Sequence, residues 1–228
     1  MNTRMKSSTV PVRKLRILCF HGYQQNAKDF AGKLGSLRKA LKSRAELIFI
    51  DAPHLVKADD SISEPGASEP RAWWTWQDPY VAGRPSLAST YTGVEASLQL
   101  ATNALSQHQP IDGLLGFSQG SALASMLLAQ SQNQRSDTSI KFAILAGAFL
   151  PKDPKYAKHL KETAVHVPTL FVCGESDKYI PLDRTKELIE TFDQQHVQQY
   201  VHTGGHMVPT CTGDFKHCLQ AFLDAQET

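Results

Sequence analysis

The stretch Ile111-Asp112-Gly113-Leu114-Leu115-Gly116-Phe117-Ser118-Gln119-Gly120-Ser121-Ala122-Leu123-Ala124 decides how the rest of the chain is read. Ile111 to Leu115 is a short apolar run suited to a buried strand. Ala122 to Ala129 continues as a buried helix. Between them, Gly116-Phe117-Ser118-Gln119-Gly120 forms a G-x-S-x-G corner. A serine there is held on a sharp turn with its hydroxyl projecting above the sheet. Gly116 and Gly120 fit, because a side chain at either would meet the neighbouring strand or helix. The helix that follows aims free N–H groups at the same spot. The pattern also fits an ordinary strand–turn–helix junction, so its weight depends on what lies downstream.

Outward from this corner the chain alternates. Leu15 to Phe20 reads as a first strand running into the polar loop His21-Gly22-Tyr23-Gln24-Gln25-Asn26. Phe30, Leu34, Leu37 and Leu41 predict one amphipathic helix with Lys33, Arg38, Lys39 and Lys42 outside. Leu47 to Ile50 is a second strand, closed by Asp51-Ala52-Pro53, and Val94, Leu98, Ala101 and Leu105 mark another helix. Phe142 to Ala146 and Thr169 to Cys173 are strands, the first followed by Gly147 and a polar stretch. Pro181 suits the first turn of a helix carrying Leu182, Leu188, Ile189 and Phe192. His196 to Val201 is a more polar strand near an edge, and Phe215, Cys218, Leu219 and Phe222 form the last helix. Alternating strands and helices imply a parallel sheet covered on both faces.

Residues 54–89 break this rhythm. They carry Pro65, Pro70, Pro79 and Pro85 together with Trp73, Trp74, Trp76 and Tyr80. A loop this long in a compact domain is usually functional or disordered, and three tryptophans argue against full disorder. The stretch leaves the same rim of the sheet as the Ser118 corner. Trp73, Trp74 and Trp76 are therefore expected to line an apolar substrate-binding surface above Ser118, with anchoring of the loop as the competing role. The whole segment is read as a long loop or lid-like insertion.

Composition narrows the function classes. The chain has 228 residues, 41% of them hydrophobic and 20% charged, and 24 basic against 22 acidic side chains. That balance leaves no nucleic-acid footprint. No apolar run reaches membrane-span length. Cys19, Cys173, Cys211 and Cys218 show no C-x-x-C spacing, which fits a reducing compartment, the cytoplasm or also the nucleus. Residues 1–13 are read as a flexible tail and 14–228 as one domain. The basic, Ser/Thr-rich start is taken as frayed chain rather than a transit peptide. There is no H-E-x-x-H, and the glycines make no dinucleotide or phosphate fingerprint, so neither metal nor cofactor is expected.

A serine hydroxyl is a poor nucleophile without a base in reach and an acid to orient that base. Functional groups in a parallel sheet gather beyond the C-terminal ends of its strands. Three candidates sit there in the order Ser118, Asp177, His206, the Ser…Asp…His order of the α/β-hydrolase arrangement. His202 is the rival base, and His206 is preferred because Gly204-Gly205 lets its loop fold back. Glu175 and Asp183 are the other acids considered. The developing oxyanion needs two donors, for which the amides of Gln119 and Tyr23 stand in the right places.

Several motifs then agree in order. They are Phe20-His21-Gly22-Tyr23-x-Gln25-Asn26, Arg71-Ala72-Trp73-Trp74, the Ile111–Ala124 stretch, Gly174-x-x-Asp177-x-x-Ile180-Pro181 and Gly204-Gly205-His206-x-x-Pro209. From about Lys14 to Leu223 the chain resembles the family of serine hydrolases (FSH). Its animal members are the ovarian-cancer-associated esterases, and its fungal members include LovG-type thioesterases. The resemblance implies a cofactor-free carboxylesterase or thioesterase with Ser118, Asp177 and His206 as triad. The expectation is a single α/β-hydrolase domain with a reduced, mostly parallel sheet of about six strands flanked by helices. Its substrate would be a small-molecule acyl ester, with medium to long acyl chains preferred. An acyl thioesterase and a non-catalytic binding module on the same fold are the alternatives.

Overall fold

Four apolar runs, at Leu15–Phe20, Gly113–Phe117, Phe142–Ala146 and Thr169–Gly174, are buried almost throughout and cannot stand singly, and in the computed structural model they line up with two less buried strands as one sheet. Residues 13–57, 69–78, 84, 86–134 and 140–226 are described. Strand β1 (Leu15–Phe20) leads through helices α1 (Ala27–Lys33) and α2 (Gly35–Leu41) to β2 (Ala45–Ile50). Four two-residue strands follow: β3 (His54–Leu55), β4 (Arg71–Ala72), β5 (Thr75–Trp76) and β6 (Tyr91–Thr92). Next come α3 (Val94–Gln107), β7 (Gly113–Phe117), α4 (Gln119–Gln134), β8 (Phe142–Ala146) and α5 (Pro154–Glu162). The chain closes with β9 (Thr169–Gly174), α6 (Leu182–Ile189), β10 (Val197–His202) and α7 (Gly213–Asp224).

The large sheet has the order β10-β9-β8-β7-β1-β2, and every neighbouring pair is parallel. Alternation along a strand divides the core in two. Leu18 and Phe20 of β1 pack on the side of α3, α4 and α5, whereas Ile17 and Cys19 pack on the side of α1, α2 and α7. The central position of β7, buried at all five residues, puts its C-terminal end in the middle of the upper rim. A corner there is flanked by the loops after β1 and β8.

Some local readings change. The single helix expected over Phe30–Leu41 is two, joined at Leu34, whose ψ of 18° leaves the helical well. Phe192 lies beyond α6 yet is buried, with its ring edge-on to Phe171. The polar stretch after Gly147 contains α5, capped by Asp153, whose carboxylate accepts from Lys155 N–H. Only Tyr156 and Leu160 of α5 are buried, too few to give a readable period. Residues 54–92 are not a plain loop: β3 pairs with β4 and β5 with β6, both antiparallel. Residues 1–12, and with them nearly all of the expected tail, lie outside the described residues, as do 58–68, 79–83 and 85 of the expected lid-like segment. Among the described residues no helix is long and apolar enough to cross a membrane.

Candidate active site

Ser118 sits between β7 and α4 with φ of +53°, the left-handed region that a residue with a Cβ enters at a cost of roughly 1–2 kcal/mol. Backbone hydrogen bonds hold it there: its N–H donates to Ala146 O at 2.9 Å, and its carbonyl accepts from Ser121 and Ala122. The turn is tight enough that a Cβ on Gly116 would lie 2.6 Å from Ser121 Cα, and one on Gly120 2.2 Å from Phe20 O. The glycines therefore let helix α4 approach β1 and β7, and that close approach raises the hydroxyl over the rim.

His206 reaches this hydroxyl. Its Nε2 lies 2.8 Å from Ser118 Oγ, and its Nδ1 lies 2.6 Å from Asp177 Oδ2. The loops carrying the two residues are bonded to each other. Glu175 N–H donates to His202 O, Ser176 N–H to Gly204 O, and Ser176 Oγ to Thr203 O. Asp177 Oδ1 accepts from the N–H groups of Tyr179 and Ile180, both at 2.8 Å. Burial alone would raise the Asp177 carboxyl, but the His206 bond and charge and the two backbone donors outweigh it and hold the carboxyl below its usual range. The rings of Phe117 and Tyr179 stand 4.8 Å and 5.5 Å from that of His206.

The other candidates fall elsewhere. His202 Nδ1 accepts from Gly204 N–H, and its ring makes no hydrogen bond to Ser118. Glu175 is exposed, and Asp183 lies in the first turn of α6, paired with Lys186. Burial raises the thiols of Cys19, Cys173, Cys211 and Cys218, which keeps them in the non-nucleophilic form.

The loop after β1 is braced from beneath. His21 is wholly buried; its Nε2 accepts from Ala52 N–H at 3.0 Å, so its Nδ1 carries the proton and donates to Gly22 O at 2.7 Å. Gln25 N–H donates to the same carbonyl. In a trans peptide the N–H points opposite to the carbonyl, so these bonds turn Tyr23 N–H away from His21. Among the described residues the backbone N–H groups of Tyr23 and Gln119 make no hydrogen bond within the protein.

The tryptophans divide, and the sequence expectation needs correcting. Trp73 and Trp74 are both 0% exposed and present no surface to a ligand. Trp73 Nε1 donates to His21 O, and its ring packs on Phe20 and His21. The side chain of Gln119 clamps the pair, accepting from Trp73 N–H at 2.8 Å and donating to Trp74 O at 2.9 Å. Ser97 Oγ donates to Trp73 O. Trp74 stacks on Tyr91 at 4.8 Å. A Trp-Trp pair carries too much apolar area to stay at the rim when a core is available. Trp76 is only half-buried, and its ring lies 5.0 Å from that of Tyr23.

The sequence reading used only the backbone amide of Gln119 and gave its side chain no part, because nothing local signals a partner 46 residues away. The sequence likewise gives no sign that the ring of Tyr179, two residues after Asp177, stands beside that of His206. His166 Nδ1, Asp193 Oδ2 and a ring nitrogen of His196 lie within 4.8 Å of one another and form a set that could take a metal ion. They precede β9 and β10, at the opposite rim from Ser118, and the carboxylate is already engaged by both rings.

Comparison with known proteins agrees in family and fold. The family model described as Serine hydrolase (FSH1) matches residues 8–216. The Esterase OVCA2 of Xenopus tropicalis is 38% identical over 93% of each chain. The Esterase OVCA2 of Homo sapiens is 34% identical over 93% of this chain and 96% of its own. Among solved structures, Zea mays acyl-protein thioesterase 2 superposes with a TM-score of 0.63 at 19% identity over 94% of each chain. Esterase PE8 does so with a TM-score of 0.64 at 21% identity over 93% of this chain and 92% of its own. Both share the α/β-hydrolase fold.

Proposed function

The chain belongs to the serine hydrolase (FSH1) family, and from that premise we propose that it cleaves carboxylic esters through a Ser118–His206–Asp177 triad and a covalent acyl-enzyme. The observation that carries the proposal is the unbroken pair of hydrogen bonds from Ser118 Oγ through His206 to Asp177. His206 Nε2 takes the hydroxyl proton as Oγ bonds to the ester carbonyl carbon. The same nitrogen then gives that proton to the leaving alcohol oxygen as its bond to the carbonyl carbon breaks. Water, activated by His206 in turn, releases the acid. Asp177, held ionised, fixes the Nδ1–H tautomer and balances the imidazolium. The amides of Tyr23 and Gln119 receive the oxyanion.

The acyl chain is medium to long in this reading. Its support is the half-buried Trp76 beside Tyr23, an aromatic surface next to the oxyanion loop. The same chemistry would open a thioester, and rates on an ester and a thioester of one acyl chain would rank the two. The direct test is a fluorophosphonate probe with mass spectrometry. One adduct is expected, at Ser118. Ser118→Ala should take none and lose on the order of 10⁵–10⁶ in kcat. Labelling that persists in Ser118→Ala would move the nucleophile elsewhere.

A further inference from the structure

Four large hydrophobic side chains are exposed among the described residues; one of them, Tyr179 at 44%, has its ring 5.5 Å from that of His206, and another, Met207 at 47%, follows His206 in the chain. A lone exposed apolar side chain is ordinary. Two such residues on the loops that meet at His206 are not explained by packing: Ile180, next to Tyr179, supplies the core contact in its place. Both residues are fixed by their backbones. Tyr179 N–H donates to Asp177 Oδ1 and Met207 N–H to Gly205 O. The guanidinium carbon of Arg84 lies 5.7 Å from the Tyr179 ring centroid, a cation–π contact that steadies the ring at the rim.

We propose that Tyr179 and Met207 form an apolar subsite for the alcohol half of the ester, so that the protein selects esters of alkyl or aryl alcohols by their leaving group. This rests on the triad reading above and deepens it. Proton transfer requires the leaving oxygen within about 3 Å of His206 Nε2. The carbonyl oxygen is committed to the other side, toward Tyr23 and Gln119. The carbons attached to the leaving oxygen must therefore lie along the His206 side, where the exposed Tyr179 ring stands beside the imidazole and the exposed Met207 is carried by the same loop as His206. Methionine suits chains of varied shape, because its thioether is flexible and polarisable. The acyl half is directed to the Trp76 side.

The test uses two isomeric esters, octyl butanoate and butyl octanoate. They contain the same atoms and differ only in which half carries the long chain. The alcohol is attached only until the acyl-enzyme forms, so its contacts register in kcat/KM and not in deacylation. In Tyr179→Ala/Met207→Ala, the kcat/KM ratio of octyl butanoate to butyl octanoate should fall about tenfold or more, the lower end of what apolar pocket contacts discriminate. Tyr179→Phe, which keeps the ring, should restore most of the ratio when introduced with Met207 intact. A ratio unchanged in the double variant, or a loss concentrated on butyl octanoate, would overturn the assignment. Continued fluorophosphonate labelling of Ser118 in the variants would show that the triad still operates. Absence of labelling in the unsubstituted protein would remove the triad and this subsite with it.

Discussion

Acidification from pH 6.5 to pH 5 should lower the stability of this protein by about 2 kcal/mol through one buried side chain, His21. Its Nε2 accepts a hydrogen bond from Ala52 N–H and cannot also hold a proton. Burial pushes the imidazole down to about 4, with the Gly22 carbonyl and the Asp51 charge opposing that shift. In the unfolded chain the same group titrates near ~6.5. Between these values the unfolded state binds a proton that the folded state does not, so unfolding becomes easier as pH falls. The stability is fully present above ~6.5, and the loss is complete below about 4. One pH unit is about 1.4 kcal/mol, so the step to pH 5 amounts to about 2 kcal/mol and the whole gap to about 3. Carboxylates held low, such as Asp177 and Asp112, lose their contribution only below their ordinary range near ~4, outside this window. The assay is urea unfolding followed by tryptophan fluorescence at half-unit steps from pH 7 to pH 5, on the wild type and His21→Gln. Glutamine offers an amide N–H donor group and a carbonyl acceptor and does not titrate. The variant should be the less stable at pH 7, and the difference should shrink by about 2 kcal/mol at pH 5. His202, also held low by burial, acts in both proteins and cancels. Parallel curves for the two proteins would refute the argument that His21 is folded in as a neutral ring.

Asp177→Asn should keep the fold and lower kcat by roughly 10⁴, because an amide favours the wrong imidazole tautomer, whereas its carbonyl oxygen can still accept from Tyr179 and Ile180. His206→Ala should remove most turnover and His202→Ala should spare much of it; the opposite order in steady-state rates would show that the wrong histidine was chosen. Trp74→Ala should destabilise by about 3–5 kcal/mol, since the side chain is fully buried, and should affect acetyl and long-chain esters alike. A selective loss on long chains without a change in melting temperature would restore Trp74 to the acyl surface.

The sequence determined the architecture. Strands buried on both faces must be continuous apolar runs, and those at β1, β7, β8 and β9 are legible without any partner in view. The glycine-flanked corner at Ser118 was legible too, because a tight strand-to-helix turn has local chemical requirements, and the Ser, Asp, His order picked out the three side chains that the fold joins by hydrogen bonds. Tertiary structure decided the rest. His202 and His206 are chemically alike and four residues apart, and the sequence preference for His206 rested only on the glycines between them. What separates them is the bonding of the Thr203 and Gly204 carbonyls to Ser176, distant in the chain, which no local pattern encodes. The same holds for the tryptophans. Trp73 and Trp74 look identical to Trp76 as residues, but the side chain of Gln119 and the rings of Phe20 and Tyr91 enclose the first two and leave the third at the surface. Propensity and periodicity act between residues within a turn of one another. Whether a polar atom meets its partner, or an aromatic ring meets solvent, depends on which distant strands the sheet has brought side by side.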